Sequence, residues 1–321
     1  MIKTVHPNTT SGIYTQQDEL LAIRHWAKEL NLFARRPAAS LLAGNTQSRF
    51  RGRGMDFEEA RLYQPGDDIR CIDWRVTART GKAHTKIFRE ERERPVLLLV
   101  DQRSPMFFGS RRAMKSVVAC ELASAIGWAA LAHSDRVGGL VFGDNSHTDV
   151  RPRRSKHAVL NLIQHLADYN HQLNQPSEVI NDDSPKSLTV LLEDTLRIAK
   201  PGTAVFIISD FHDCDERSEK ALYNLSRHCD LTLFAISDPL EMELPKAGRY
   251  TVTDGQNRSS LNTADNKLRT RFQEQWQHQR TQLRKISYRV GIPLLEIETS
   301  DELPHKLRQL FSLNRKAGGR K

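Results

Sequence analysis

A chain of 321 residues, 38% hydrophobic and 27% charged, can bury a substantial core and still keep a well-solvated surface. Its four cysteines (Cys71, Cys120, Cys214 and Cys229) show no CxxC spacing, which excludes a zinc or redox site of that type and reads as reduced thiols. The formal net charge of +9 admits an acidic partner or nucleic acid, but no recognition-helix pattern, zinc-ligand set or stacking platform accompanies it.

In chain order, residues 16–36 carry Leu20, Ile23, Ala27, Leu30 and Ala34 at spacings of three and four, which predicts a helix ended by Pro37. Ser40 to Gly54, with three glycines and three arginines, reads as a flexible basic linker. Residues 61–63 and 83–88 are short strand candidates, separated by the strong turn signal Gln64-Pro65-Gly66-Asp67. From Pro95 the rhythm becomes α/β. Val96–Val100 is a continuous apolar run, as a buried parallel strand requires. Further strands are predicted at 136–142, 203–209, 231–236 and 293–297, with a hairpin partner at 147–150. Helices are predicted at 111–133, 156–169, 189–200, 216–228, 266–290 and 303–313, with polar connections at 171–187 and 246–263. This alternation specifies a mostly parallel sheet with helices on both faces, plus an N-terminal helix and a small module. The divisions expected are 1–48 (helix and linker), 49–94 (module), 95–313 (sheet domain) and 314–321 (basic tail).

Ligands of such sheets sit at the carboxyl ends of the strands. Two buried strands end there in aspartate, Asp101 and Asp210. The pair can hold a divalent cation, or each can cap the helix that follows. The histidines lack metal-ligand spacing, no GxxxxGK[ST] loop occurs, and neither Cys120 nor Cys214 has a base-and-orienter pair. Gly138-Gly139 reads as a site of close packing. Seven Lys or Arg face a single Glu274 between Lys267 and Arg289, a basic helix read as solvated surface. Met1 to Tyr14 lacks a signal-peptide stretch, and Val117–Ala132, broken by Glu121 and Ser124, is too short and polar to span a bilayer. A cytoplasmic protein of a bacterial host is expected.

Asp101-Gln102-Arg103-Ser104-Pro105 invites comparison with the von Willebrand factor A fold, which the layout from Pro95 onward resembles. That fold places a D-x-S-x-S metal motif after its first strand, joined by a threonine and a later aspartate. Asp101 fits the first position and Asp210 the late one. Arg103 and Pro105 stand where the serines belong, Ser104 falls between them, and the threonine position lies among Ser184, Ser187 and Thr189. The expectation is a degenerate metal site in which Arg103 bridges Asp101 and Asp210 in place of an ion. No cofactor is then needed; an ion, if bound, would be magnesium on Asp101 and Asp210.

The segment Tyr63-Gln64-Pro65-Gly66-Asp67-Asp68-Ile69-Arg70-Cys71-Ile72-Asp73-Trp74, continued by Ala78-Arg79, Lys86 and Glu90-Glu91, closely resembles the signature of the domain of unknown function 58 family. The resemblance implies a non-catalytic adaptor working beside a MoxR-type AAA+ ATPase, and with other von Willebrand factor A proteins. Its rivals are a metal-dependent enzyme using Asp101 and Asp210, and a nucleic-acid binder using the helix at 267–289. Physically, Gly66 frees the turn, Asp67 and Asp73 can accept bonds from Arg70 and Arg79, and Trp74 can pin the segment to the main domain. The segment is then a rigid docking platform or a structural clasp.

Overall fold

The computed structural model describes residues 12–30, 32, 55–90, 93–172, 187–253 and 258–317. The expected linker at 40–54, the interior of the polar stretch at 171–187 with Ser184, and the last four residues of the basic tail lie outside them.

Two compact units are present: residues 1–36 with 94–321, and residues 37–93. The N-terminal helical segment groups with the sheet domain and not with the module that follows it. Helices α1 (Gln17–Ala22) and α2 (Arg24–Ala27) belong to the sheet unit, where Leu20, Ile23, Ala27 and Leu30 enter its core. The predicted single helix breaks at Ile23, where Trp26 N–H donates to the Ile23 carbonyl three residues back, in 3₁₀ fashion.

The small unit is an antiparallel pair, β1 (Met55–Leu62) against β2 (His84–Glu90), with helix α3 (Trp74–Thr80) in the connection. The sequence does not announce α3 by periodicity. Its ends are nevertheless local: the Asp73 carboxylate accepts from Arg75 and Val76 N–H, and Gly81 closes it in the left-handed conformation at φ 71°.

The sheet unit follows the predicted alternation. Its elements are β3 (Pro95–Asp101), α4 (Lys115–Ala132), β4 (Arg136–Phe142), β5 (His147–Arg153), α5 (Lys156–Gln172), α6 (Leu188–Ile198), β6 (Ala204–Ser209) and α7 (Glu216–Ser226). There follow β7 (Asp230–Ser237), a short α8 (Pro239–Met242), the hairpin β8 (Arg249–Thr253) and β9 (Arg258–Asn262), α9 (Asn266–Val290), β10 (Leu294–Glu298) and α10 (Leu303–Ala317). The hairpin replaces the expected irregular connection at 246–263. Six strands form one sheet in the order β10-β7-β6-β3-β4-β5, parallel except for β5.

Alternate residues of β3 serve two cores. Val96, Leu98 and Val100 pack with α4, α5, the N-terminal helices and α10. Leu97 and Leu99 pack with α6, α7 and α9 on the other face. Helix α4 is long and apolar enough to cross a membrane by length and composition, and 83% of it is buried inside the fold. A Cβ on Gly139 of β4 would lie 2.8 Å from Leu162 Cδ1 and 2.9 Å from the Leu98 carbonyl, so α5 can press on the sheet only over a glycine.

Candidate functional site

Strands β3 and β6 are parallel neighbours in register, Val100 opposite Ile208, so Asp101 and the Ser209-Asp210 pair emerge together at the carboxyl edge. That juxtaposition is the one expected. Its electrostatics differ from expectation.

Asp101 is fully buried. Arg103, two residues on, grips it with Nε at 3.0 Å from one carboxylate oxygen and Nη2 at 2.7 Å from the other. Arg103 N–H and Ser209 Oγ–H also donate to this carboxylate, at 3.0 and 2.7 Å. Burial pushes the Asp101 carboxyl up from its ordinary range, and the Arg103 guanidinium pulls it back.

The second acid held by Arg103 is Asp213, not Asp210: Nη1 lies 2.6 Å and Nη2 3.0 Å from its two oxygens. The reason is local. Phe211 adopts φ 57°, an unusual conformation for a non-glycine residue, while its ring is buried among α6, α7 and α9. The chain therefore reverses just after Asp210 and offers Asp213 to Arg103. Asp213 also accepts from Leu188 N–H at 3.0 Å, tying down the start of α6.

Asp210 has its own cations. Lys115 Nζ, only 2% exposed, lies 2.7 Å from Asp210 and 2.6 Å from Glu241. His212 Nδ1 lies 2.8 Å from the other Asp210 oxygen. Although burial works against it, the bond from His212 and the charge of Lys115 hold the Asp210 carboxyl well below the usual carboxylate range. Reciprocally, the bond to Asp210 raises His212 above the ordinary histidine value, against partial burial. Burial alone would lower Lys115, but Asp210 and Glu241 more than offset it and raise it.

Sequence reasoning missed Lys115, Asp213, Glu241 and His212. Ser104, exposed on the loop, is held by Asp144, which accepts from both its backbone N–H and its hydroxyl. Of the threonine-position candidates, Ser187 caps α6 and Thr189 bonds Asp215 and Ser218, so neither is committed to Asp101. Among the described residues, no group of three or more His, Cys, Asp or Glu is arranged to hold a metal ion.

In the signature segment, Asp67 pairs with Arg61 at 2.7 Å and accepts from Gln64 N–H, closing the turn in which Gly66 takes φ 106°. Tyr63 hydroxyl donates to the Asp67 carbonyl at 3.3 Å. Asp73 is spent on capping α3. Neither acid takes Arg70 or Arg79, which are exposed: Asp67 is engaged by Arg61 and Gln64 N–H, and Asp73 by Arg75 and Val76 N–H. Trp74 is 69% exposed at the start of α3.

The basic helix α9 is partly compensated. Arg269, Arg284 and Arg289 pair with Glu243, Glu296 and Glu219, and Arg280 is buried.

Comparison with known proteins gives one family match: the family described as "Protein of unknown function DUF58" fits residues 59–282. Uncharacterized proteins of Mycobacterium tuberculosis and Mycobacterium bovis are each 27% identical over 273 residues, covering 85% of this chain and 83% of the relative. Among solved structures, the conserved hypothetical protein BatB from Bacteroides thetaiotaomicron is similar with a TM-score of 0.42 at 13% identity, over 69% of this chain and 98% of that one. An aerotolerance-related membrane protein from Bacteroides fragilis gives a TM-score of 0.39 at 13% identity, over 68% and 98%.

Proposed function

This chain belongs to the DUF58 family, and from that premise we propose that it is a non-catalytic, von Willebrand factor A-like adaptor of the bacterial cytoplasm. Its principal partner is a MoxR-type AAA+ ATPase, with other von Willebrand factor A proteins as further partners. The observation that carries the reading is the fate of the acids at the sheet's carboxyl edge. Asp101 and Asp213 share the Arg103 guanidinium, and Asp210 and Glu241 share the Lys115 ammonium. Carboxylates fixed this way are poor general bases, because each is already engaged by an internal cation. They form a rigid, charge-compensated edge suited to presenting loops to a partner. The small unit supports the same reading: Leu62, Ile69 and Trp74 are exposed on it, and large apolar side chains on a surface, tryptophan above all, suit protein contacts.

Calorimetry with the MoxR-type ATPase of the same genome, in each nucleotide state, tests the proposal. Saturable binding that a chelator leaves unchanged is expected, since the fixed cations occupy the place of a bridging ion. Absence of binding in every nucleotide state overturns it.

A further inference from the structure

Beside the paired acids, the loop after β6 and one face of α9 enclose a cleft of about 200 Å³. Its α9 wall carries Phe272, Gln275, Trp276, Gln279 and Arg280; its other side is His212 with Asp210 and Glu241, whose charges are compensated by Lys115 and His212. Arg280 does not fit a purely structural account. It is 8% exposed, yet its guanidinium makes one long bond, Nη2 to the Ile236 carbonyl at 3.5 Å. Its Nη1 is closed off from solvent and has no partner among the described residues. The Trp276 ring lies against it, 5.6 Å from Cζ to the ring centroid.

A buried guanidinium ordinarily sits in a bidentate pair. Here the acids whose fields reach Arg280 are committed elsewhere: Asp210 and Glu241 to Lys115, and Glu296 to Arg284. Burial accordingly depresses Arg280 from the ordinary arginine value, and those fields only partly offset it.

We propose that this cleft receives the carboxylate side chain of a glutamate or aspartate from a bound protein segment, with the Trp276 ring swinging aside so that Arg280 pairs with it. A carboxylate matches the planar fork of the guanidinium in a way no neutral group does. Phe272 and Trp276 offer apolar walls for the side-chain methylenes, and the amides of Gln275 and Gln279 can bond the flanking backbone. The volume suits one side chain and is below that of ordinary small-molecule and cofactor pockets. The assignment rests on the reading of the chain as a protein-binding adaptor and names the chemistry its partner brings to this edge.

The test uses the full chain and the tripeptide acetyl-Gly-Glu-Gly-amide, its Gln counterpart, and inorganic phosphate. The indole N–H resonance of Trp276, one of four tryptophans, is assigned by its loss in Trp276→Phe. The Glu peptide should shift this resonance saturably and the Gln peptide should not. Arg280→Met should weaken the Glu peptide about tenfold or more, as loss of a charge-assisted bond implies. Its other three indole resonances report whether it folds. Should it not fold, the Glu-against-Gln comparison on the unaltered chain decides alone. Equal shifts by the two peptides, equal or tighter binding of phosphate, unchanged binding by folded Arg280→Met, or no shift at all would each overturn the assignment. If the ATPase binds while the Glu peptide leaves Trp276 unmoved, only the cleft assignment falls. If the peptide binds and the ATPase does not, the acidic segment belongs to another protein and the choice of partner was wrong.

Discussion

Lys115 and Arg103 decide the electrostatics of the sheet's carboxyl edge, and each is irreplaceable for the same reason. Removing one partner of a buried ion pair leaves the other charge uncompensated, at a cost of about 3–5 kcal/mol. Lys115→Met should therefore lower stability by roughly that amount, read as a shift in the urea midpoint with an unchanged slope; a shift close to zero would show that Asp210 and Glu241 find other partners. The same logic makes the double change Arg103→Ser with Pro105→Ser a test of whether this edge can hold a metal ion. It strips the cation from Asp101 and Asp213 and supplies hydroxyls, so millimolar magnesium should recover part of the lost stability, and calorimetry should detect the ion. No recovery and no heat would mean that Asp101 and Asp213 cannot act as ligands. The two aspartates at the strand ends were legible, because a continuous apolar strand predicts which edge its last residue occupies. The partners were not. Asp213 reaches Arg103 only because Phe211 takes a positive φ that no pattern announces. Lys115 did leave a trace: a cation in the first turn of a helix opposes the helix dipole, a local cost that calls for a tertiary reason. His212 gives a pH test of this wiring. Its folded-state pKa is raised, so its contribution is full below the unfolded histidine value and is lost as pH rises through the folded one. The melting-temperature gap between the unaltered chain and His212→Gln should thus be wider at about pH 5.5 than at about pH 8.5. The opposite trend would place the imidazole outside the Asp210 pair.

At the scale of elements, the periodic segments from Pro95 onward were legible, whereas the N-terminal helix, read as one, breaks at Ile23, and α3 and the β8–β9 hairpin were not foreseen. The buried strands and amphipathic helices of the sheet unit carry their period in the sequence because each must hide one face or both. Helix α3, at seven residues, is too short for a period to declare itself, and its signals are the terminal ones, Asp73 and Gly81. The β8–β9 hairpin is polar and largely exposed, so nothing in its hydrophobic pattern distinguishes it from a loop. This matters for the signature segment. Its acids were expected to bind Arg70 and Arg79, but Asp67 and Asp73 close a turn and cap a helix, which makes the segment a self-contained scaffold that displays Trp74. Asp73→Ala should cost about 1 kcal/mol of the small unit's stability through loss of the cap. Trp74→Ala, removing an exposed ring, should change stability by no more than about 0.5 kcal/mol while abolishing ATPase binding. A large fall in melting temperature for Trp74→Ala would restore the clasp reading.

At the scale of the whole molecule, the chain divides between a sheet unit and a small unit that carries the Tyr63–Trp74 segment. Among the described residues, both hydrophobic cores of the sheet unit are drawn from outside 37–93. The N-terminal helices close it: Leu20, Ile23, Ala27 and Leu30 cover α4, Trp128 Nε1 donates to the Leu20 carbonyl at 3.3 Å, and Thr15 N–H donates to the buried Asn170 at 2.8 Å. A core that is complete without an inserted segment should fold without it, since long exposed insertions alter stability mainly through loop-closure entropy, which grows slowly with length. Replacing residues 37–93 by a flexible Gly-Ser linker should then leave a soluble protein with cooperative urea unfolding and the helical content of the sheet unit. It should retain the Trp276 response to the glutamate tripeptide, because Arg280 and its cleft lie wholly in the sheet unit. It should lose the ATPase, because Trp74 is gone. Truncating the chain at its start instead, by removing residues 1–36, should expose the apolar face of α4 and give an aggregating or non-cooperative product. The decisive result is the pair taken together. If the linker variant unfolds without cooperativity while the N-terminal truncation folds, the assignment of structural and docking roles to the two parts of the chain is reversed.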